Sequence, residues 1–340
     1  MIAERDLLTI MKPTALRYSM GCKAIPLVTT LAGFFGAAIL LTAQQNFDRV
    51  EVQTQPVQGN VYMLTGAGGN VTVQTGPDGV LIVDTQFEPM APKLLAAIRK
   101  LSDKPIRYII NTHVHPDHTG GNAAIAQAGV PPADGGGSVA GQGARVIAHE
   151  NVLKVMSAPK TGKQFDFSAP KERWPTETYT NRKTIQFNGE QIELVHVEQA
   201  HSTGDTIVFF HGSNVVSAGD VYAINRYPSY DPQGTIDGMI AGLNRIIEMI
   251  APPDKQGQGG TAIIPGHGRI TRQPELVAYR DMSMTIRDRI RDMVNKGMTL
   301  EQVKAAKPVK EYEPVYGGNT GVSSTDFVLD EIYKDLSQNK

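Results

Sequence analysis

The stretch Asn111–Asn122, NTHVHPDHTGGN, packs three of the chain's eight histidines and an aspartate into six positions and closes on two glycines. Imidazole and carboxylate are the nitrogen and oxygen donors that divalent transition metals prefer. In extended backbone, residues two apart point the same way, so His113 and His115 face one point. Pro116 holds His115 extended and then lets the chain turn. Asp117 and His118 are adjacent, must point in different directions, and suit a second point a few ångströms away. Gly120 and Gly121 permit a tight turn into the next element. The stretch reads as half of a two-metal site, and two ions about 3.5–4 Å apart can share a water and bring its pKa toward about 7.

Half a site requires the other half. His201 opens HSTGDT, Asp220 closes VVSAGD, and His267 sits between glycines in IIPGHG. Each lies at the carboxyl end of a hydrophobic run, where α/β sites assemble. The remaining histidines read as structural. His196 falls inside the strand-like ELVHV and His211 in a turn. His149 is a cap or surface residue that could also line a cleft.

The elements that position these side chains are legible as alternating runs. Strands are expected at VYMLT, VTVQT and VLIVDT, separated by GAGG (66–69) and GPDG, with GAGG a flexible hairpin tip beside the mouth. A helix is expected over 88–102, and a strand over 106–111 that ends where the histidines begin. A short helix (123–129), a glycine-rich insertion (131–143), the strand RVIAH and a helix near 151–157 follow. After a loop holding Trp174 comes a hairpin around Asn188-Gly189. TIVFFH, NVVSAGD and TAIIP are further strands, 231–249 reads as mostly helix, and the remainder is mainly helical. This order argues for an α/β fold with layers around two sheets.

The motifs THVHPDHTGG, HSTGD, AGD and PGHG, in that order over roughly residues 58–270, resemble the metallo-β-lactamase superfamily, most closely its bacterial branch related to glyoxalase II. The resemblance implies an αββα sandwich of two mixed β-sheets flanked by helices. It implies a first metal on His113, His115 and His201, a second on Asp117, His118 and His267, and Asp220 bridging both. Asp84 in LIVDT matches a position that supports the ligands from behind, and Thr119 and Ser202 are further candidates for that role. Asp220 stands where the best-known β-lactamases of the superfamily often have cysteine. The 47 residues from Asp220 to His267 leave no room for the inserted domain of its nucleases. His115 stands where flavodiiron members have glutamate.

The activity so implied is hydrolysis of a small-molecule ester, lactone, thioester or amide, β-lactams included, by a dinuclear zinc centre, with iron or manganese as other metals. A metal-held hydroxide would attack the carbonyl, and Asp117 would orient it and carry its proton. Tyr222, Arg226 and Tyr227, just beyond Asp220, are the candidates for holding the substrate's carbonyl or carboxylate. Two alternatives stand beside this: a mononuclear iron dioxygenase of thiols or persulfides, and a non-catalytic metal-binding protein.

At 340 residues, with 41% hydrophobic and 20% charged residues, the composition is globular, and a net charge of −1 offers no footprint for nucleic acid. In residues 1–43, four basic residues precede the uncharged run AIPLVTTLAGFFGAAILLTA. This reads as a secretory signal, with an uncleaved membrane anchor or a core helix as alternatives. The expected location is periplasmic or secreted, or anchored to the inner membrane by residues 24–43. The one cysteine, Cys22, lies in this segment, so if the signal is removed a metal site must use nitrogen and oxygen. The expected organisation is a hydrolase domain over 44–298 and a helical extension over 299–340 packed on the core. The oligomeric state is left open.

Overall fold

Alternation along buried strands sorts the core into layers. In the computed structural model, residues 46–132, 143–163, 165–318 and 324–338 are described. The signal or anchor segment lies outside them, as does most of the glycine-rich insertion. The strands are β1 (Gln53–Gln58), β2 (Val61–Thr65), β3 (Val71–Gly76), β4 (Gly79–Val83), β5 (Ile106–Ile110), β6 (Arg145–His149), β7 (Glu177–Tyr179), β8 (Arg182–Phe187), β9 (Glu190–Val197), β10 (Asp205–Phe210), β11 (Val215–Ser217) and β12 (Ala262–Ile264). One sheet runs β1 to β7 in sequence order, antiparallel through β4 and parallel from β4 onward. The other runs β12-β11-β10-β9-β8, with only β11 and β12 parallel. Both sheets are mixed.

In β4, Leu81 and Val83 face the second sheet while Val80 and Ile82 face outward. In β10, Val208 and Phe210 face inward while Ile207 and Phe209 face outward. Burial on both faces is why these strands read as unbroken apolar runs. The helices are α1 (Ala91–Leu101), α2 (Pro116–Thr119), α3 (Asn122–Gln127), α4 (Glu150–Met156), α5 (Ile236–Met249), α6 (Gln273–Asn295), α7 (Leu300–Ala306), α8 (Glu313–Tyr316) and α9 (Thr325–Gln338). α1 lays Leu94 and Ile98 on the outer face of the first sheet. α5 and α6 cover the second sheet with Met239, Leu243, Leu276, Met282 and Ile286. The result is an αββα sandwich.

The segment beyond Thr299 buries Val303, Val328, Leu329 and Ile332 in the same apolar cluster as α5 and α6. Among the described residues no helix is long and apolar enough to cross a membrane.

Three local expectations change. β1, QTQPVQ, is an additional strand. It is an exposed sheet edge, where proline and polar residues are tolerated, so it lacks a hydrophobic signature. β7 lies inside the expected loop. The helix expected from Asp231 starts only at Ile236, capped by the Thr235 hydroxyl on Gly238 N (2.9 Å), because Pro228, Pro232 and Gly234 interrupt the chain before it.

Candidate metal centre

The ends of four strands deliver the donors. As β5 ends, Asn111 is locked by reciprocal side-chain hydrogen bonds to Asn122 (3.0 and 2.8 Å), and Thr112 N donates to Asp84 Oδ1 (2.8 Å). The turn then presents His113 and His115. α2 begins at Pro116, where a missing N–H costs nothing. Asp117 and His118 converge instead of diverging, with Asp117 Oδ2 3.7 Å from His118 Nε2. A single helical turn and a long imidazole let neighbours in sequence reach the same point. His201 lies between β9 and β10, Asp220 in a 3-10 turn after β11, and His267 just after β12.

The donor atoms of His113, His115 and His201 lie within 4.8 Å of one another, as do those of Asp117, His118 and His267. A third group, His113, His118 and Asp220, links the two triads. Asp220 Oδ2 is 3.7 Å from His201 Nε2 and 3.4 Å from His267 Nε2, so its carboxylate faces both. Between the triads' own members, His115 Nδ1 is 3.2 Å from His201 Nε2, and His267 Nε2 is 3.3 Å from Asp117 Oδ2. His113 Nε2 and Asp220 Oδ1 are buried and have no hydrogen-bond partner. Buried polar atoms are seldom left so, and here they aim into a nest of nitrogen and oxygen donors. A Cβ on Gly266 would overlap Asp220 Oδ1. The residues present therefore fit a pair of divalent cations.

Four of the five imidazoles have their outer nitrogen engaged, which fixes the inner one toward the centre. His113 Nδ1 donates to Thr112 Oγ1 (3.0 Å), which in turn donates to Asp84 Oδ2 (2.7 Å). His118 Nδ1 donates to the same Asp84 oxygen (2.7 Å). His115 Nε2 pairs with Asp231 Oδ1 (2.9 Å), and His201 Nδ1 donates to the Ser229 carbonyl (2.6 Å). Asp84 holds this position at φ +65°, a backbone that aspartate tolerates better than most residues.

Electrostatics follow from burial and the mixture of charges. Burial, reinforced by neighbouring imidazoles, pushes His113 well below its ordinary value and keeps it neutral. Burial alone would do the same to His118, but the carboxylates of Asp220, Asp117 and Asp84 outweigh it and hold His118 well above. His267 is likewise raised against burial, chiefly by Asp220. Burial would raise Asp117 and Asp220. Facing His118 and His267, Asp117 instead falls to about 2 and Asp220 goes well below the carboxylate range.

The supporting residues divide. Asp84 touches one imidazole directly and a second through Thr112. Thr119 Oγ1 instead caps the ligand turn on the carbonyls of Val114 (3.2 Å) and His115 (3.0 Å). Ser202 bonds Asp205 through its N–H (2.7 Å) and hydroxyl (2.8 Å), not an imidazole. Asp231, Ser229 and Thr112 hold ligands but carry no sequence signal for it.

The substrate candidates Tyr222 and Tyr227 are corrected. Both are buried in the core, Tyr222 edge-on to Tyr279 (5.2 Å between ring centres) and Tyr227 donating to the Val309 carbonyl (3.4 Å), so neither faces a cleft. Arg226 is half-buried near Tyr279, whose hydroxyl burial pushes well above its ordinary value despite the opposing pull of the Arg226 charge. The GAGG tip is clamped. Gly69 N donates to Asp117 O (3.0 Å), Asn70 N to Gly266 O (2.7 Å), and a Cβ on Gly69 would overlap the His118 ring. His149 caps α4 and stacks on His196 (3.6 Å), and His211 pairs with Glu193 (3.1 Å). All three stand apart from the triads.

A family model for the metallo-beta-lactamase superfamily matches residues 56–267. Among curated proteins, the chain is 29% identical over 170 residues to the 2,4-dinitroanisole O-demethylase subunit alpha of Nocardioides sp. (strain JS1661), covering 49% of this chain and 45% of that one. It is 23% identical over 280 residues to the linear primary-alkylsulfatase of Pseudomonas sp. (strain ATCC 19151), covering 70% and 50%. It is 21% identical over 196 residues to the acyl-coenzyme A thioesterase MBLAC2 of Bos taurus, covering 57% and 68%. The chain thus spans about half the length of the first two. In fold it resembles the sec-alkylsulfatase Pisa1 from Pseudomonas sp. (TM-score 0.57, 15% identity, 85% of this chain and 50% of that one). It also resembles a metallo-beta-lactamase from Pontibacter korlensis (TM-score 0.52, 15% identity, 69% and 99%). Two mixed sheets between helices, two donor triads at their strand ends and a family match over 212 of 340 residues agree: this chain belongs to the metallo-beta-lactamase superfamily.

Proposed function

We propose that the chain is an exported, zinc-dependent hydrolase with a dinuclear centre, acting on a small-molecule ester, lactone, thioester or amide. The observation that carries this reading is the convergence of two complete triads on one shared carboxylate, with His113 Nε2 and Asp220 Oδ1 buried and without hydrogen-bond partners among them. A donor set of imidazole and carboxylate suits zinc, and a full second triad favours two ions over the single iron of a dioxygenase. When bound, two such cations polarise the scissile bond and lower the pKa of a water toward about 7. The basic-then-apolar pattern of residues 1–43 supports export.

The residues divide the remaining work. His115, Asp117 and His267 keep 17, 22 and 17% of their side-chain surface open, against 0–8% for His118, His201 and Asp220, so substrate approaches over them. Asp117, pulled down to about 2, is ionised at neutral pH and accepts a hydrogen bond from the attacking water, which fixes the water's orientation. Asp220 borders both triads, with Oδ2 facing His201 (3.7 Å) and His267 (3.4 Å) and Oδ1 facing His118 (3.3 Å).

A second reading, hydrolysis of an alkyl sulfate ester, has a specific observation in its favour. The two alkylsulfatases match 70 and 85% of the chain, against 212 of 340 residues for the family model. Metal analysis of purified protein, followed by p-nitrophenyl esters, an acyl thioester, nitrocefin and decyl sulfate on the same sample, tests both. Two zinc ions per chain with turnover of a carbonyl substrate is the expected result. One iron per chain, or two zinc ions with turnover of none of the panel, overturns the proposal.

A further inference from the structure

Beside His115 lies a hollow of about 260 Å³. Its apolar wall comes from Val114, from Val152 and Val155 one turn apart on α4, and from Phe165 and Phe167 in the 158–176 loop, with exposed Lys163 at the rim. It shares its boundary with the metal centre. Val114 sits between two ligands, the Phe167 ring lies 4.4 Å from the His115 ring, and Asp231, which holds His115 Nε2, also lines the hollow. His115 is the more open of the two imidazoles at this end, 17% against 6% for His201. The loop is built to present its two phenylalanines. Asp166 between them gathers Gly162 N (2.7 Å) and the Ser168 hydroxyl (2.7 Å), and Phe165 is held at φ +63°, which a bulky residue adopts only under constraint. A larger hollow, about 670 Å³ between α5, α6 and α9, is lined mainly by charged and amide side chains.

We infer that this hollow binds an unbranched hydrocarbon chain of the substrate, so that the molecule cleaved is an amphiphile with its scissile group over His115, Asp117 and His267. The size decides between a tail and a whole ligand. Pockets that enclose drug-sized ligands hold about 300–1,000 Å³, so 260 Å³ takes a tail. The inference rests on the two-metal reading, and its test separates the two. Acetohydroxamate and octanohydroxamate share a metal-chelating head and differ by six methylenes. Each buried methylene is worth about fourfold in affinity. On the zinc-loaded full chain the longer probe should bind about 100-fold tighter, equivalent to three or four buried methylenes. Val155→Trp, which fills the hollow from a half-buried helix position, should cut that ratio below about 5, whereas Val315→Trp at an exposed site on α8 should leave it near 100. Equal affinity of the two probes for the unaltered protein, or an undiminished ratio in Val155→Trp, overturns the chain-binding assignment. Failure of both probes to bind overturns the metal-centre reading and this inference with it.

Discussion

Replacing Asp84 by asparagine exchanges one carboxylate oxygen for an amide nitrogen and should disturb both metal positions. Asp84 Oδ2 accepts from His118 Nδ1 at 2.7 Å and from Thr112 Oγ1 at 2.7 Å, and Thr112 Oγ1 in turn accepts from His113 Nδ1 at 3.0 Å. His118, Thr112, His113 and Asp84 are all 0–2% exposed, so no solvent replaces a lost partner. In the Asp84→Asn variant the amide oxygen stays on Thr112 N, and the new NH₂ meets two donors. Asparagine tolerates the left-handed backbone at this position, so the change is confined to the side chain. His118 then has to move its proton to Nε2, which removes the lone pair aimed at the centre. Each buried donor left unsatisfied costs about 1–3 kcal/mol, so metal-free stability should drop by about 2–6 kcal/mol. Loss of such support typically weakens metal binding about 10–100-fold. Urea denaturation of the apoprotein and chelator competition for zinc measure the two effects separately. Unchanged stability and zinc affinity in Asp84→Asn would refute the proton chain from Asp84 to both triads.

Four further outcomes are expected. Gly69→Ala places a Cβ into the His118 ring, so zinc stoichiometry should fall toward one per chain; two tightly held ions in that variant would show the clamp to be slack. Asp335→Ala removes the acceptor of Ile236 N (2.9 Å) and of the Tyr230 hydroxyl (3.3 Å), loosening the 222–235 loop that carries Ser229 and Asp231. We expect a loss of about 1–2 kcal/mol and weaker binding of the first zinc, read by denaturation and titration with a zinc indicator. Zinc affinity should rise with pH. His118 and His267 are raised in the metal-free protein and hold protons that zinc must displace, so calorimetry in buffers of different ionisation enthalpy should register proton release that shrinks as pH increases. Asp117→Asn should lower kcat at least tenfold even where two ions are retained, and equal turnover at full metal content would end its role in orienting water.

The donors were legible because each is a metal-type side chain at the end of an apolar run, and because their order along the chain is distinctive. The α/β layering followed from strands apolar on both faces alternating with amphipathic helices. What escaped has physical reasons. Ser229 supports His201 with a backbone carbonyl, which leaves no mark in residue type. Asp231 looked like part of a helix, and its partner His115 is 116 residues away. Tyr222 and Tyr227 follow Asp220 and looked like substrate contacts, but the loop turns both into the core under α6 and the C-terminal segment. The GAGG glycines signalled a flexible tip; their real reason is close approach of backbone to Asp117 and His118, which depends on tertiary closure.

The central claim is that two cations sit in the two triads with Asp220 between them. Anomalous diffraction at the zinc edge, on crystals of the purified protein, tests it most directly. Two peaks are predicted, one within about 2.0–2.2 Å of donor atoms from His113, His115 and His201 and the other equally close to Asp117, His118 and His267, each also touching an Asp220 oxygen. A single peak, or zinc bound only elsewhere on the chain, would contradict it.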